Sequence, residues 1–150
     1  VKEITGNLWD FYDQGHWVVI TTNGMVKKDG TAVMGRGVAR DAAQRFPELP
    51  AHLGAAIKQW GNKVSIFMKP PRIISFPVKH HWRDQADPEL ILESAQYLSQ
   101  ALSRHVEPSI FKPPVYMVRP GCGNGGLEWS MIRPMLVPIL DDRFIVVEKG

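Results

Sequence analysis

The pattern of apolar and polar positions along the chain divides most of it into short elements. Trp17 to Thr21 carries the unbroken run Val18-Val19-Ile20, which marks a buried strand. It ends at Thr22-Asn23-Gly24, a turn signal. Lys2 to Thr5 reads as a short first strand, followed by Gly6-Asn7-Leu8-Trp9. From Val38 the period becomes helical, with Val38, Ala42 and Phe46 on one face and Ala39 and Ala43 beside them. Pro47 and Pro50 are expected to stop this helix. A second helical stretch runs from about Ala51 to Trp60 and is closed by Gly61-Asn62. Lys63 to Met68 and Arg72 to Phe76 read as strands split by Pro70-Pro71, and Pro77 to Arg83 as an irregular polar-aromatic loop. Asp87 and Pro88 make a good helix start, as N-cap and first helical residue. Ile91, Ala95, Leu98 and Leu102 then form a stripe that carries the helix to about Arg104. Pro108, Pro113 and Pro114 read as a linker to a strand from Val115 to Arg119. Ser130 is placed to cap a helix reaching Leu140, with Pro134 in its first turn and Pro138 as a kink. Phe144-Ile145-Val146-Val147 is a last, fully apolar strand.

Strands alternating with helices predict an α/β layered domain with a mostly parallel or mixed central sheet. Ligands of such sheets sit outside the carboxyl ends of the strands. Three loops fall at that edge: Asn23 to Gly37, Phe76 to Trp82 and Gly121 to Trp129. One shared cleft is the economical expectation. The length of 150 residues fits one domain, spanning 1–150. Neither a membrane span nor a signal peptide is visible, so a cytoplasmic, membrane-free location is expected. A single cysteine excludes an internal disulfide and a Cys-rich metal site. The five histidines lack H-E-x-x-H spacing, so neither a metal nor a cofactor is expected. A net charge of +3 permits an anionic ligand or nucleic acid without demanding either.

The candidate chemistry centres on Gly121-Cys122-Gly123-Asn124-Gly125-Gly126-Leu127. Glycine is costly in regular elements, so four in six positions mark a backbone needing positive φ or close approach by a ligand. The loop stands between a strand and a predicted helix, where backbone amides and the helix dipole suit a phosphate. It matches neither the P-loop ending nor the usual placement of a dinucleotide fingerprint. Gly35-Arg36-Gly37-Val38 is a second glycine pair opening a helix, and two such loops at one sheet edge can clamp a diphosphate. Asn23 suits either a ribose hydroxyl or a turn, and Asn7 either an adenine edge or an Asx-turn. Lys79-His80-His81-Trp82-Arg83 supplies a nucleophile, a base and a stacking group, and by spacing alone reads equally as a solvated basic loop. Cys122 reads as a small buried residue rather than a reactive thiolate, and Glu128 and Asp84 as surface or capping groups.

These strings resemble a macrodomain, in the branch containing the DNA ADP-ribosyl glycohydrolase antitoxins and the terminal ADP-ribose glycohydrolases. The matches are Gly6-Asn7-Leu8, Val33 to Ala39, Phe76 to Arg83 and Gly121 to Trp129. The resemblance implies a three-layer α/β/α fold that binds ADP-ribose, and a glycohydrolase that removes it from modified nucleic acid, DNA foremost. It implies ligand contacts by Asn7, Leu8, Asn23, Gly35, Arg36, Gly37, Val38, Gly121, Cys122, Gly123, Asn124, Gly125, Gly126 and Leu127. Lys79 matches the catalytic lysine, and His81, Trp82 and Arg83 would hold nucleic acid. Gly125 stands where the terminal glycohydrolases carry an aspartate, which turns the expectation toward a nucleobase-linked substrate. The implied partners are ADP-ribosylated nucleic acid and an ADP-ribosyltransferase toxin, with a monomeric chain that lacks the antitoxins' second domain. A non-catalytic ADP-ribose binder and an ADP-ribose 1″-phosphate phosphatase are the alternatives.

Overall fold

The computed structural model describes residues 1–67, 69–104 and 112–150, apart from the Arg104 side chain. In chain order the elements are β1 (Lys2–Gly6), α1 (Leu8–Asp13), β2 (Val18–Asn23), α2 (Gly37–Arg45), α3 (Leu49–Trp60), β3 (Ser65–Ile66), β4 (Ile73–Lys79), α4 (Pro88–Arg104), β5 (Val115–Met117), α5 (Trp129–Leu136) and β6 (Phe144–Lys149). The strands form one sheet in the order β1-β6-β5-β2-β4-β3. All neighbours pair parallel except β3, which runs antiparallel to β4. The mixed sheet expected from the alternation of elements is therefore present.

A parallel sheet needs cover on both faces, and the side-chain alternation of the strands supplies two apolar faces. Val19, Ile74, Phe76, Val78, Met117 and Val146 turn to one side, where Ile91, Ala95 and Leu98 of α4 and Ile132 and Leu136 of α5 meet them. Val18, Ile20, Ile73, Tyr116 and Val147 turn to the other, against Leu8 and Trp9 of α1, Ala39 and Ala42 of α2, and Leu49 and Leu53 of α3. The result is three layers, with helices on both sides of the sheet.

Several boundaries depart from the sequence pattern, each for a local reason. The helix α1 was not expected. It is a single short amphipathic turn begun by Asn7, whose Oδ1 accepts the Trp9 N–H at 3.0 Å. Pro50 does not stop a helix but sits in the first turn of α3, where its missing N–H removes no hydrogen bond. The strand expected over Lys63 to Met68 shrinks to Ser65–Ile66, with Met68 outside the described residues. The expected linker around Pro108 also lies outside them. α5 starts at Trp129 with Glu128 as N-cap, not at a Ser130 cap, and it ends at Leu136 before Pro138.

The most consequential departure is β4, which passes through Pro77 to Lys79 instead of ending at Phe76. Proline is tolerated there because β3 pairs only with Ile74 and Ser75, leaving that side of Pro77 without a partner strand. The register against β2 skips between Thr22 and Asn23, so Asn23 faces Lys79. Besides Asn62 Nδ2, which donates to Lys79 O at 2.9 Å, two contacts hold this irregular end. The buried Ser94 hydroxyl donates to Pro77 O at 2.8 Å, and Asp87 N–H donates to Val78 O at 2.8 Å.

Asp87 also caps α4, as expected: its Oδ1 accepts the Glu89 N–H at 3.0 Å, while Oδ2 lies 2.9 Å from His80 Nε2. The His80 hydrogen bond is the main cause holding its carboxyl below the ordinary aspartate range. Its contribution to stability is therefore full above that ordinary range and is lost as pH falls through the lowered folded value. In urea melts at pH 7, Asp87→Ala is expected to be about 1 kcal/mol less stable than the parent. The gap should close on acidification below the aspartate range, and a gap that widens there would rule out this role.

Candidate functional site

Five strand ends, among them that of β6 with Val147 to Lys149, converge on one cleft of about 910 Å³. β1 delivers Gly6 and, just beyond, Asn7 and Leu8. β2 delivers Thr21, Thr22 and Asn23. β4 delivers Val78 and Lys79, and the run after β5 delivers Val118, Arg119 and the glycine loop. The Gly35 to Val38 segment, entering α2, forms the facing wall. Every residue expected to contact ligand lines this cleft, as do Lys79 and Trp82. His81 and Arg83 do not line it; they flank Trp82 on the exposed turn after β4.

The glycine loop is shaped by contacts only glycine allows. Gly121 and Gly126 have φ of 77° and 76°. A Cβ on Gly125 would lie 2.4 Å from Gly121 O and 2.8 Å from Ala86 Cβ. An aspartate cannot occupy that position without rebuilding the loop. Three consecutive carbonyls of the loop face the end of β4 and the segment after it. Asn124 O accepts from Lys79 Nζ at 3.2 Å, Gly125 O from Ala86 N at 2.9 Å, and Gly126 O from Gln85 Nε2 at 3.2 Å. Carbonyl and N–H of a trans peptide point in opposite directions, so the Gly125 N–H, sharing a peptide with Asn124 O, points away from Lys79. Among the described residues, the amides of Gly123, Asn124 and Gly125 donate to no protein acceptor. Successive free amides of this kind make an anion-binding concavity.

The second loop completes the grip. Gly37, with φ of 59°, opens α2, and its early amides have no intrahelical partner. A Cβ on Gly37 would lie 2.8 Å from Asn124 Nδ2, so the two loops meet across the cleft at this glycine. Helix α3 fixes the approach to this loop: Ala32 N–H donates to Pro50 O at 2.8 Å, and a Cβ on Gly54 would fall 1.9 Å from Gly30 O. Only this loop opens a helix directly. The Gly121 to Gly126 turn does not, since α5 starts only at Trp129, and the expectation of a helix dipole at both loops is corrected on that ground.

Lys79 sits at the end of β4 with Nζ donating to Trp82 O at 3.3 Å and Asn124 O at 3.2 Å. An ammonium has three donors, so one remains free for the cleft. Trp82 is 42% exposed beside it, with the Arg83 guanidinium 5.5 Å from its ring centroid and the His81 ring at 5.5 Å. His81 Nδ1 accepts the Arg83 N–H at 3.2 Å. Asn23 has both ends of its amide engaged, Oδ1 by Met25 N–H at 3.0 Å and Nδ2 by Val33 O at 3.0 Å, so it shapes the turn that leads to the Gly35 loop. Cys122 is half-buried and burial raises its thiol above the ordinary cysteine range, which fits the packing role expected of it.

Several cleft residues were not singled out in the sequence. Arg119 pairs with Glu148 at 3.2 Å and lies over the Trp129 ring at 5.4 Å. Trp129 Nε1 donates to Glu3 Oε1 at 2.8 Å, and Arg133 Nε to Glu3 Oε2 at 2.6 Å, so β1 ties down the start of α5. Those bonds, Arg133 first and Trp129 next, hold the Glu3 carboxyl below its ordinary range. No local pattern joins Glu3 to Trp129 and Arg133, because they lie more than a hundred positions apart. Among the described residues no His, Cys, Asp and Glu group is arranged to hold a metal ion, and no helix is long and apolar enough to cross a membrane. The packing of Gly125 has a testable outcome: Gly125→Ala should cost about 1–3 kcal/mol in chemical denaturation. A neutral result would show that the loop is free to move aside.

No protein-family model matches the chain. A DNA ADP-ribosyl transferase–DNA ADP-ribosyl glycohydrolase fusion protein of Thermosipho africanus is 23% identical over 146 residues, covering 82% of this chain and 36% of the relative. A DNA ADP-ribosyl glycohydrolase of Mycobacterium tuberculosis is 30% identical over 113 residues, 70% of this chain and 31% of the relative. The chain thus spans about a third of the length of the curated relatives it matches. Among solved structures, Thermosipho africanus DarTG in complex with ADP-ribose aligns with a TM-score of 0.78 at 18% identity, over 99% of this chain and 41% of the other. The macrodomain of Thermus aquaticus DarG aligns with a TM-score of 0.73 at 24% identity, over 99% and 97% of the two chains. The layered sheet, the order of its loops and these relatives agree: the chain is a macrodomain of the DarG branch.

Proposed function

We propose that this macrodomain binds ADP-ribose along the cleft and hydrolyses the bond linking it to a nucleobase of DNA. The observation that carries the reading is the position of Lys79. Its amine stands at one end of a cleft whose centre is two glycine loops, with the exposed Trp82 lining the same end. The sheet order sets the scale. β4 and β1 are four strand spacings apart, about 19 Å, which suits an extended molecule of base, sugar, diphosphate and sugar. The diphosphate lies on the amides of Gly123 to Gly125 and the start of α2. The adenosine end lies toward β1 and β6, and the outer ribose toward Lys79.

Hydrolysis breaks the bond from the anomeric carbon to the base nitrogen. The sugar develops oxocarbenium character, the base leaves with the bonding pair, and water supplies hydroxide to the carbon and a proton to the medium. Lys79 Nζ, held by Trp82 O and Asn124 O, directs its third N–H at the departing base and protonates it. The clamped diphosphate keeps the sugar in reach, where positioning contributes to rate. Trp82 stacks a neighbouring base of a single strand and Arg83 meets its phosphates. The fusion of transferase and glycohydrolase in the Thermosipho africanus relative supports a DNA ADP-ribosyl transferase as the source of the substrate.

The test is release of ADP-ribose from a modified single-stranded oligonucleotide by the parent and by Lys79→Ala. Release is expected to fall by about 10²-fold or more, with ADP-ribose affinity by calorimetry held within a few fold. Undiminished release by Lys79→Ala would remove the lysine from the chemistry. A parent protein that binds ADP-ribose but releases none from the oligonucleotide would make it a binding module.

A further inference from the structure

The cleft ends at Lys79, but features that suit a nucleic-acid strand continue past it. Between Leu49 and Arg83 the sequence holds Lys58, Lys63, Lys69, Arg72, Lys79 and Arg83, and no aspartate or glutamate. Arg72 serves the fold, donating to the carbonyls of Tyr12 and His16. Lys58 and Lys63 are exposed and, among the described residues, pair with no carboxylate. Lys58 Nζ leans over Gly30, 3.6 Å from where a Cβ on that glycine would stand, next to the exposed Lys27 and Lys28. The acid of that loop, Asp29, already accepts from the Thr31 N–H and hydroxyl.

Trp60 ends α3 and is 68% exposed, more than any other Phe, Tyr or Trp among the described residues. Its ring has no partner among them. A single exposed ring is ordinary in itself, so its place decides what it can do. Two residues on, Asn62 Nδ2 donates to Lys79 O at 2.9 Å. Asn62 is fixed there, with its Cγ 2.8 Å from where a Cβ on Gly24 would stand. The Trp60 Cα lies within about 7 Å of the Asn62 Cα, by the reach of two residues. Helix α3 packs on one face of the sheet, and the turn carrying Trp82 leads to α4 on the other. Two exposed indoles thus flank the Lys79 end of the cleft from opposite faces of the sheet.

We propose that the single strand carrying the ADP-ribosylated base crosses the end of β4 from Trp82 to Trp60, with a base stacked on each indole and its phosphates met by Lys58 and Lys63. Every base has a π-face, so two stacking platforms hold a strand without reading its sequence. Unpaired lysines release counterions from the phosphates and draw the strand in. A stretch free of acids beside an open indole fits a polyanion with stacking bases better than a protein of mixed charge. The proposal rests on the DNA-linked reading above and adds the course of the strand, in which nucleotides flanking the modified one contribute to recognition on the α3 side.

The test compares release of ADP-ribose from a modified nucleoside monophosphate, which has no neighbouring base, and from a modified strand of about 12 nucleotides. The proteins are the parent, Trp60→Ala, Trp60→Phe and the double variant Lys58→Gln with Lys63→Gln. The parent should show a kcat/KM about tenfold or more higher on the strand. Trp60→Ala should lose about fivefold or more on the strand, mostly through KM, and stay within about twofold of the parent on the monophosphate. Trp60→Phe keeps a stacking face and should retain most of the parent's value. The lysine variant should flatten the fall of log kcat/KM with log salt on the strand by about 0.7 per lysine. A parent indifferent to the flanking nucleotides, or a Trp60→Ala that loses nothing on the strand, overturns the proposal and leaves the DNA-linked reading standing. A parent that releases ADP-ribose from neither substrate overturns both.

Discussion

The site depends on β4 continuing past a proline. A parallel central strand has little tolerance for a residue without an N–H. Here the neighbour β3 is only two residues long, so Pro77 faces no ladder on that side, and the strand goes on to Lys79. Ser94 and the Asp87 amide take up the carbonyls of Pro77 and Val78 on the α4 side. That arrangement turns Lys79 from a loop residue into the last residue of a buried strand. Its amine is then held by backbone carbonyls of two different loops rather than left to wander on a flexible stem.

From that fixed point the glycine loop is organised. Its carbonyls are drawn toward Lys79 and the segment after β4, which turns the Gly125 N–H away from Lys79. The close approach of Gly125 to Gly121 O and Ala86 makes the loop a packed object, in which a side chain at that position has nowhere to go. The sterics explain why no carboxylate stands there. The chemistry proposed for this macrodomain runs through an amine at the end of β4, with the glycine loop supplying position. On the opposite wall, α3 packs its glycine against the Gly30 carbonyl and so sets the distance at which the other loop meets Asn124.

The polar residues of the cleft divide by what already occupies them. Asn23 has both amide ends engaged in its own turn, and Asn7 has one. The same residue type thus serves as scaffold in one place and retains a free donor in the other. Glu3 serves the fold by joining β1 to Trp129 and Arg133, a contact that secures the exit of the glycine loop.

The residue pattern alone determined the layered α/β class with a parallel or mixed sheet, the buried strands around Val18 to Ile20 and Phe144 to Val147, the Asp87-capped helix, and two glycine loops at one sheet edge. These follow from local physics: hydrophobic period, capping chemistry and the backbone freedom of glycine act within a few residues and can be read in order. The spacing left Asn7 and Asn23 undecided between turn and ligand, because the deciding hydrogen bonds depend on backbone conformation. The end of β4 was misread because proline's effect depends on whether a neighbouring strand is present. The roles of Glu3, Trp129 and Arg119 had no local trace at all. Only the folded structure could settle these: Glu3 meets partners more than a hundred positions away, and Asn7 and Asn23 are decided by the backbone conformation of the turns they sit in.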